Sequence, residues 1–417
     1  MTEKNKRSLS PYRVLDLTDE KGFLCGRIFS EQGADVVKIE PPNGDPARKK
    51  GPFYNNEPDP ERSLYWFAYN AGKRGVTLDI NSHAGQDIFR RLVKSADFLL
   101  DSFTPGYMEA LGLGYKELEK INQRLIMTSI TPFGQTGPYA HWKGPDIVPW
   151  ALGGYMFMSG EPEKAPLRIS HPPQVYLHAS AMACVGSLMA LHYRNRTGKG
   201  QHVDLCAQQC PIWMLTHTYS YWDMQKVILN RQGGWRQFGH IRIKTLWQCK
   251  DGYITFMFSG GNIGAKGQRR LVKLMEKEDM APDWLKNIDW ESFDALSASD
   301  EVLRPIIESL ENFFKTKTKA ELLKEAVHGG IMLAPVNTIQ DVMQDPHLSA
   351  RDFWVEIEHE RLNTRITYPG APCKMSETPW TIKGRAPYIG EHNEEIYTKE
   401  LNMSKNEIKL LKEKGVI

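Results

Sequence analysis

Two short apolar stretches, Arg13-Val14-Leu15-Asp16-Leu17 and Asp35-Val36-Val37-Lys38-Ile39, decide the fold of this chain. Each has the length and the apolar content of a short buried strand. The residues between them predict a turn followed by a helix that ends near Gly33. Two such strands pair in parallel, because a parallel pair requires a crossover connection of this kind. The sequence therefore predicts a compact βαβ unit.

The same alternation of strand and helix continues through the first half of the chain. Further strands are predicted at 75–78, 97–100 and 125–130, and helices at 84–95, around 105–122 and at about 176–193. This alternation is typical of a Rossmann-like, mostly parallel sheet covered by helices. The predicted fold class is α/β.

The pattern changes after about residue 225. A hairpin is predicted from 245–249 and 253–256, because Lys250-Asp251-Gly252 between them forms a turn signal. Helices are predicted at 267–277 and 300–327, and the tail from residue 341 contains loops, strands and a helix at 405–414. The middle of the chain therefore predicts a second, smaller α+β domain.

Composition excludes several classes of protein. Of the 417 residues, 41% are hydrophobic and 25% are charged, which is close to the globular average and excludes disorder or a fibrous repeat. Lys and Arg total 53 and Asp and Glu total 50, with no concentrated basic stretch, so a nucleic-acid partner is not expected. An anionic substrate would be bound by a few well-placed cations.

The chain is expected to be cytoplasmic. Residues 1–10 are polar and charged and do not resemble a signal peptide, and the six cysteines are scattered without a C-x-x-C motif. The uncharged stretch between Arg168 and Arg194 is rich in Ala, Ser and Gly, which favours a closely packed buried helix over a membrane span. No membrane partner is expected.

Searches for general catalytic motifs find nothing. The sequence contains no metal-binding spacing, no P-loop and no G-x-S-x-G nucleophile elbow. The first βα turn, 19–23, lacks G-x-G-x-x-G, so a nicotinamide cofactor is not expected. No metal and no covalently bound cofactor is predicted.

Longer strings, taken together, carry a specific resemblance. They are Gly33-Ala34-Asp35-Val36-Val37-Lys38-Ile39-Glu40, Ala71-Gly72-Lys73-Arg74-Gly75-Val76-Thr77-Leu78-Asp79, Phe133-Gly134-Gln135-Thr136-Gly137-Pro138-Tyr139, Arg196-Thr197-Gly198-Lys199-Gly200-Gln201 and Gly390-Glu391-His392-Asn393. Their order and spacing resemble the class III CoA-transferases, the family of formyl-CoA transferase and carnitine CoA-transferase. The resemblance extends from about residue 12 to Ile417.

The resemblance implies an architecture and a reaction. Family members are interlocked-ring dimers, in which a large Rossmann-like domain comes from both ends of the chain. The implied domains are 1–225 (large), 226–335 (small) and 336–417 (returning to the large domain). In the family reaction, an Asp at the start of a helix attacks an acyl-CoA thioester, and CoA passes through an aspartyl-CoA thioester to a second carboxylate.

This chain lacks the family's Asp. Counting back from Thr197, with Gly186 matching the helix glycine and Pro172 the preceding proline, places Tyr176 at that position. No Asp or Glu occurs in the 40 residues between Glu163 and Asp204, so a shift in register cannot supply one. A phenol has a pKa near 10 and cannot form the equivalent anhydride, so Tyr176 cannot replace the Asp as nucleophile. The alternative is that Tyr176 has a structural role and packs at the start of the helix.

Other family positions have changed as well. Where the family carries CoA-contacting or active-site groups, this chain has Glu20, Pro41, Ser102, Ala110 and Pro145. The positions that still match, and to which the resemblance assigns CoA binding, are Lys73, Arg74, Leu78, Lys143 and Asp146. Each has a structural alternative: Lys73 and Arg74 could belong to a solvated loop, and Asp146 could cap the helix that follows it. Gly233-Gly234 matches a glycine-rich loop that covers the partner's active site in the family.

Three hypotheses follow. The leading one is a non-catalytic subunit of a heteromeric class III CoA-transferase, with a homologous chain supplying the Asp and most of the CoA site. The benzylsuccinate CoA-transferase is similar, which implies succinyl-CoA and an aryl-substituted succinate as substrates. The alternatives are a homodimeric enzyme with altered chemistry and an acyl-CoA-binding protein without activity.

Overall fold

The chain forms two compact units. In the computed structural model, residues 7–168, 173–238 and 241–417 are described. The large unit contains residues 7–156, 168–226 and 347–417, and the small unit contains 157–167 and 227–346. The small unit thus begins near the predicted residue 226, but it extends past residue 335 and also includes 157–167.

A six-stranded parallel sheet forms the centre of the large unit. Its strands are β1 (Arg13–Asp16), β2 (Asp35–Glu40), β3 (Arg74–Thr77), β4 (Phe98–Asp101), β5 (Ile126–Thr131) and β6 (Gln201–Cys206). They lie in the order β3-β2-β1-β4-β5-β6, and Val14 of β1 is in register with Val36 on one side and Phe98 on the other. This is the Rossmann strand order, so the α/β prediction is confirmed.

Both faces of this sheet are buried. Val14 packs in a cluster with helix residues such as Phe29 and Ala179, whereas its neighbour Leu15 packs on the opposite face with residues such as Phe89 and Tyr397. Successive residues of a strand point to opposite faces of the sheet. Because helices cover both faces, both sets of residues are buried, and the strand sequence forms an apolar run instead of alternating with polar residues.

Helices cover the sheet. Those of the large unit before β6 are α1 (Phe23–Glu31), α2 (Leu64–Asn70), α3 (His83–Val93), α4 (Tyr107–Ala110), α5 (Tyr115–Ile121), α6 (Ile147–Leu152) and α7 (Gln174–Thr197). Helix α7 ends at Gly198, whose φ of 78° is accessible to glycine at little cost. Among the described helices, α7 alone has the length and apolar composition of a membrane span, and half of its most apolar window is buried. It connects β5 to β6 and packs against both strands, as expected of a crossover helix.

The chain between β6 and the small unit, and the segment after the small unit, complete the large unit. They form α8 (Gln209–Met214), α9 (Thr216–Ser220), the hairpin β12 (Trp354–His359) and β13 (Thr364–Pro369), and α16 (Lys405–Glu413). Tyr397 and Ile408 join the sheet core, and the amide of His392 donates to Gly75 O at 2.9 Å. The last segment is therefore part of the large unit's core.

The small unit is built from short antiparallel strands and helices. Its strands are β7 (Trp235–Phe238), β8 (Ile241–Lys244), β9 (Leu246–Cys249), β10 (Gly252–Phe256) and β11 (Leu333–Val336). Its helices include α10 (Gly261–Glu276), α11 (Asp283–Lys286), α12 (Asp300–Thr316), α13 (Lys319–Gly329) and α14 (Ile339–Met343), and α15 (Pro346–Ala350) follows at its end. The single helix predicted at 300–327 is wrong. Thr318 begins a new helix through a capping box with Glu321, and this interrupts the run.

Candidate active site

The loops after β1 and β4 meet at the point where the strand order reverses. In sheets of this order, ligands bind in the crevice at the carboxyl ends of the strands at that point. The two loops are joined there by Ser102: its Oγ accepts from Asp19 N and donates to Asp19 Oδ1, both at 2.8 Å. The sheet therefore places a candidate site between residues 19–22 and 102–105.

A cavity of about 380 Å³ opens at this point and is called here the switch-point cavity. It is lined by the two loops, by the Gly/Pro-rich loop after β5 and by the first turn of α7. The lining residues are Glu20, Lys21, Ser102, Phe103, Thr104, Pro105, Pro132, Ala140, His141, Trp142, Lys143, Gly144, Pro145 and Tyr176. Five positions that the sequence singled out thus come together: Glu20, Ser102, Lys143, Pro145 and Tyr176.

Tyr176 lies in the first turn of α7 and borders the cavity. Its side chain is buried, and its hydroxyl donates to the carbonyl oxygen of Gly144. Burial, reinforced by the negative charges of Asp19, Asp146 and Glu20, raises the pKa of Tyr176 well above that of a free phenol. The phenol is therefore neutral and already hydrogen-bonded, which makes it a poor nucleophile. Pro172, the proline used for the register, lies outside the described residues.

The carboxylates nearest Tyr176 are already paired. Asp19 accepts from Lys21, and Glu20 forms an ion pair with Lys50. Asp146 Oδ1 accepts from the amide of Val175 at 2.8 Å. That bond caps α7, whereas Asp146 makes no side-chain cap to α6, the helix that follows it. The expectation that Asp146 caps the following helix is therefore wrong, since the free amides of α7 lie within reach of its side chain instead.

Lys73 does not lie in a solvated loop. Its ammonium group is fully buried and contacts Asp16 Oδ2 at 2.8 Å, Phe23 O at 2.9 Å and Asn70 Oδ1 at 2.8 Å. Burial alone would raise the pKa of Asp16, but Lys73 and Lys38 hold that pKa below its usual value. With all three donors used, this lysine holds β1, α1 and α2 together.

Arg74 is engaged in the same way at the large unit's surface. Its guanidinium contacts Asp35 at 2.6 Å, Glu400 at 2.7 Å and Glu395 at 3.2 Å. These bonds join β2 and β3 to the last segment of the chain. Neither Lys73 nor Arg74 borders the switch-point cavity.

Leu78 borders a second, smaller cavity of about 180 Å³, called here the Leu78 cavity. Pro41 and Tyr107 line it, together with four acidic residues, Asp19, Glu40, Asp45 and Asp79. No Lys, Arg or His is among the described residues that line it. Phosphate groups require cations or amide donors, so this lining is unfavourable for a nucleotide.

Lys143 differs from the other cations. It is exposed at the switch-point cavity, and within the described ranges its ammonium has no hydrogen bond or ion pair. The preceding residue, Trp142, also lines the cavity, and its ring stacks on that of Tyr139 with centroids 4.0 Å apart. Three further residues of the lining, Lys21, His141 and Trp142, were not predicted from the sequence. The only signal was their position in loops that follow predicted strands.

The remaining predicted positions lie elsewhere. Ala110 is exposed on α4, outside both cavities. Gly233 and Gly234 lie in the small unit, where Gly233 N donates to Gly160 O at 3.0 Å. Gly233 has a φ of 57°, in the left-handed region that favours glycine, whereas a Cβ there would meet only the flexible carboxylate end of Glu161.

Comparisons with known proteins agree with this fold. The family described as CoA-transferase family III matches residues 9–393. The chain is 37% identical over 397 residues to subunit BbsE of succinyl-CoA:(R)-benzylsuccinate CoA-transferase from Thauera aromatica, which covers 94% of this chain and 93% of that protein. It is 31% identical to the beta subunit of succinyl-CoA–L-malate CoA-transferase from Chloroflexus aurantiacus, with 98% of each chain covered.

A solved structure supports the same assignment. The crystal structure of a CAIB/BAIF family protein from Brucella suis superimposes with a TM-score of 0.82 at 27% identity, covering 95% of this chain and all of that one. The overall fold of this chain is thus shared with that protein. The chain belongs to CoA-transferase family III, whose members use CoA thioesters as substrates.

Proposed function

We propose that this chain is the non-catalytic subunit of a heteromeric class III CoA-transferase. The observation that supports the proposal is Tyr176 in the first turn of α7, the position to which the family resemblance assigns the nucleophilic Asp. The Tyr176 hydroxyl is bonded to Gly144 O, and the pKa of Tyr176 is raised. The alternative acid lining the cavity, Glu20, is held in an ion pair with Lys50.

The partner subunit would supply the covalent chemistry. Its Asp oxygen attacks the thioester carbonyl, the carbon–sulfur bond breaks, and CoA leaves as a thiolate from a mixed anhydride. The thiolate then attacks the aspartyl carbonyl of the anhydride and releases the first carboxylate, leaving an aspartyl-CoA thioester. The second carboxylate then attacks the aspartyl-CoA thioester, which gives a new mixed anhydride and the CoA thiolate. The thiolate attacks the carbonyl of the second acid, which forms the new acyl-CoA and releases the Asp carboxylate.

An unpaired apolar surface supports assembly with a homologous chain. Val185, Leu188, Met189 and Tyr193 lie on one side of α7, and the exposed fraction of Met189 is 69%. Strand β6 beside α7 is an edge strand of the sheet. Exposed apolar surface of this kind is typical of a subunit interface. We propose an interlocked heterodimer, or a dimer of such dimers, and two relatives are themselves named as subunits.

The cations of this chain favour a CoA site located mainly in the partner. Lys73 and Arg74 use their donors within the large unit, and the described lining of the Leu78 cavity is acidic. Lys143 is the position from the predicted set that remains available to an anion. The substrates we propose are succinyl-CoA and an aryl-substituted succinate, by analogy with the relative from Thauera aromatica.

Co-expression with an Asp-bearing homologue from the same organism tests the proposal. We expect native mass spectrometry to show a heteromer and transfer of CoA from succinyl-CoA by the co-purified complex, with hydroxylamine trapping an acyl adduct on the partner. The chain alone should be inactive. An adduct mapped to this chain, or a stable homodimer that does not bind the homologue, would overturn the proposal.

The variant Tyr176→Asp sharpens the test. It places a carboxylate at the family position, with Tyr176→Asn as the matched control that has the same shape but no charge. We expect the Tyr176→Asp chain alone to remain at least about 100-fold less active than the complex, because Pro41, Ser102 and Ala110 leave CoA weakly held and misplaced. Activity near that of the complex would show that this chain's own CoA site is intact.

A further inference from the structure

The small unit contains an apolar cleft that the chemistry above does not use. It has a volume of about 490 Å³ and lies between the first turn of α10, the end of β10 and residues 291–296. We call it the Phe258 cleft. Its lining is mainly apolar and includes Ile243, Met257, Phe258, Ile263, Phe293 and Met332. Small-molecule sites commonly have this size and composition.

Glycine allows the two walls of the cleft to approach. A Cβ at Gly260 would lie 2.0 Å from Phe293 O, so these two segments can approach this closely only with glycine at residue 260. The bond from Met257 N to Met332 O, at 2.9 Å, fixes a third side. These backbone contacts fix the surroundings of the cleft, and Ile263 and Met332 lie at its surface with exposed fractions of 83% and 39%.

The walls are suited to an aromatic ring. Phe258 and Phe293 line the cleft and pack edge to face with each other and with the buried Trp290, which is not in the lining; the centroids are 5.3 to 6.0 Å apart. Aromatic rings prefer this geometry, and thioether groups such as those of Met257 and Met332 also contact ring edges favourably. A cavity of about 150 Å³ lined by aliphatic and aromatic groups is enough to bind benzene, so this cleft has room for a phenyl group and several further atoms.

One polar group in the lining is unsatisfied. The Ser259 Oγ atom is buried and has no hydrogen-bond partner within the described ranges. The two carboxylates in the lining are engaged, Glu291 with Arg269 and Asp294 with the amide of Leu296 at 2.9 Å. A buried hydroxyl without a partner is unfavourable, so a ligand that carries an acceptor oxygen near its ring would satisfy it.

We propose that the Phe258 cleft binds the aryl group of the carboxylic acid substrate, with an oxygen of the acid accepting from Ser259. The proposal rests on the proposed function, because that function supplies an aryl-substituted succinate. It assigns to the small unit of this subunit a role in substrate choice that does not require a nucleophile. Succinate, which has no ring, should gain nothing from this cleft.

Binding to the co-purified complex tests this inference. Calorimetry and saturation-transfer NMR with (R)-benzylsuccinate and succinate should show at least roughly tenfold tighter binding of the aryl acid, since burying a phenyl group is worth that much or more. Ile263→Trp and Leu296→Trp fill the cleft from exposed positions and should weaken benzylsuccinate binding at least roughly tenfold. Val327→Trp, at an exposed position on α13 outside the cleft, is the matched control.

Kinetics separate this inference from the proposed function. We expect Ile263→Trp to raise KM for benzylsuccinate, with little change in kcat and no change in KM for succinyl-CoA. Equal binding of both acids, or an unchanged KM in the filled variants, would overturn the role of the cleft. In that case an active complex would still support the subunit proposal. If instead the complex does not form, the subunit proposal is overturned. The cleft can still be tested then, because binding of the two acids can be measured on the chain by itself.

Discussion

Two lysines of the large unit, Lys73 and Lys143, have the same chemistry and opposite surroundings. Lys73 is buried with three acceptors around its ammonium group, whereas Lys143 is exposed at the switch-point cavity. Both match positions that the family resemblance assigns to CoA binding. The difference shows that a match to the family does not by itself indicate a binding role. One matching lysine stabilises the fold, whereas the other is available to a ligand.

The surroundings of Lys73 form a wider charged network. Lys38 lies 3.9 Å from Asp16, and Arg48 pairs with Glu40 at 2.6 Å and with Glu61 at 2.9 Å. Several of these side chains are almost fully buried at the carboxyl ends of β1 and β2. Removing one member would leave its partner's charge buried and unpaired, which is costly.

The largest effect is expected for Lys73→Met. This change keeps the length of the side chain but removes the cation that contacts Asp16 at 2.8 Å and leaves only Lys38 at 3.9 Å, so we expect the free energy of unfolding to fall by about 3–5 kcal/mol. Urea unfolding followed by circular dichroism measures it. Lys143→Met is the matched control and should change stability by less than about 0.5 kcal/mol. Equal losses in the two variants would contradict the contrast between the two lysines.

The next effect concerns Asp101, at the end of β4 beside Ser102. Burial raises the pKa of Asp101 to about 7, even though Ser129 Oγ donates to it at 2.6 Å. The unfolded carboxyl titrates near pH 4, so the folded state binds the proton more tightly. Stability should therefore fall as the pH rises from about 4 to about 7, by up to about 4 kcal/mol.

Asp101→Asn removes this titration and should flatten the pH dependence over that range. Urea unfolding at several pH values between 4 and 8 measures the slope, and Asp87→Asn at an exposed position is the control. A slope that is the same in Asp101→Asn and in the parent chain would assign the pH dependence to other groups.

The smallest effect is expected at Asp146. Asp146→Ala removes the cap on Val175 N and should cost about 1 kcal/mol of stability, the usual value of a helix cap. Asp146→Asn keeps an acceptor oxygen and should retain most of it. If the Asp146→Ala and Asp146→Asn variants lost equal stability, the contribution of Asp146 would come from its negative charge and not from the hydrogen bond that caps the helix.

Local patterns were sufficient to predict most of the large unit's elements. The apolar runs of β1 and β2 and the turn at Gly33 lie within 30 residues of one another, and the structure confirms the βαβ unit they predict. The break between α12 and α13 was missed, although Thr318 and Glu321 carry the spacing of a capping box. The apolar periodicity continues across that break and concealed it.

The roles of the candidate site residues depend on contacts distant in sequence. Lys73 meets Asp16 across 57 residues, and Asp146 meets Val175 across 29. No short motif encodes such pairs, so the sequence could identify these residues as candidates but not distinguish a structural role from a binding one. Tyr176 was different, because the 40-residue absence of Asp and Glu is a property of the sequence itself.

The burial of Val416 and Ile417 in the sheet core has a consequence for synthesis of the protein on the ribosome. The amide of Asp79 donates to Val416 O at 2.7 Å, so the first half of the sheet is completed by residues made more than 300 positions later. A nascent chain held in the exit tunnel cannot make these contacts. Closure of the large unit must therefore wait until residues 416 and 417 have left the tunnel, and until then a second subunit translated nearby has open access to the unfinished sheet.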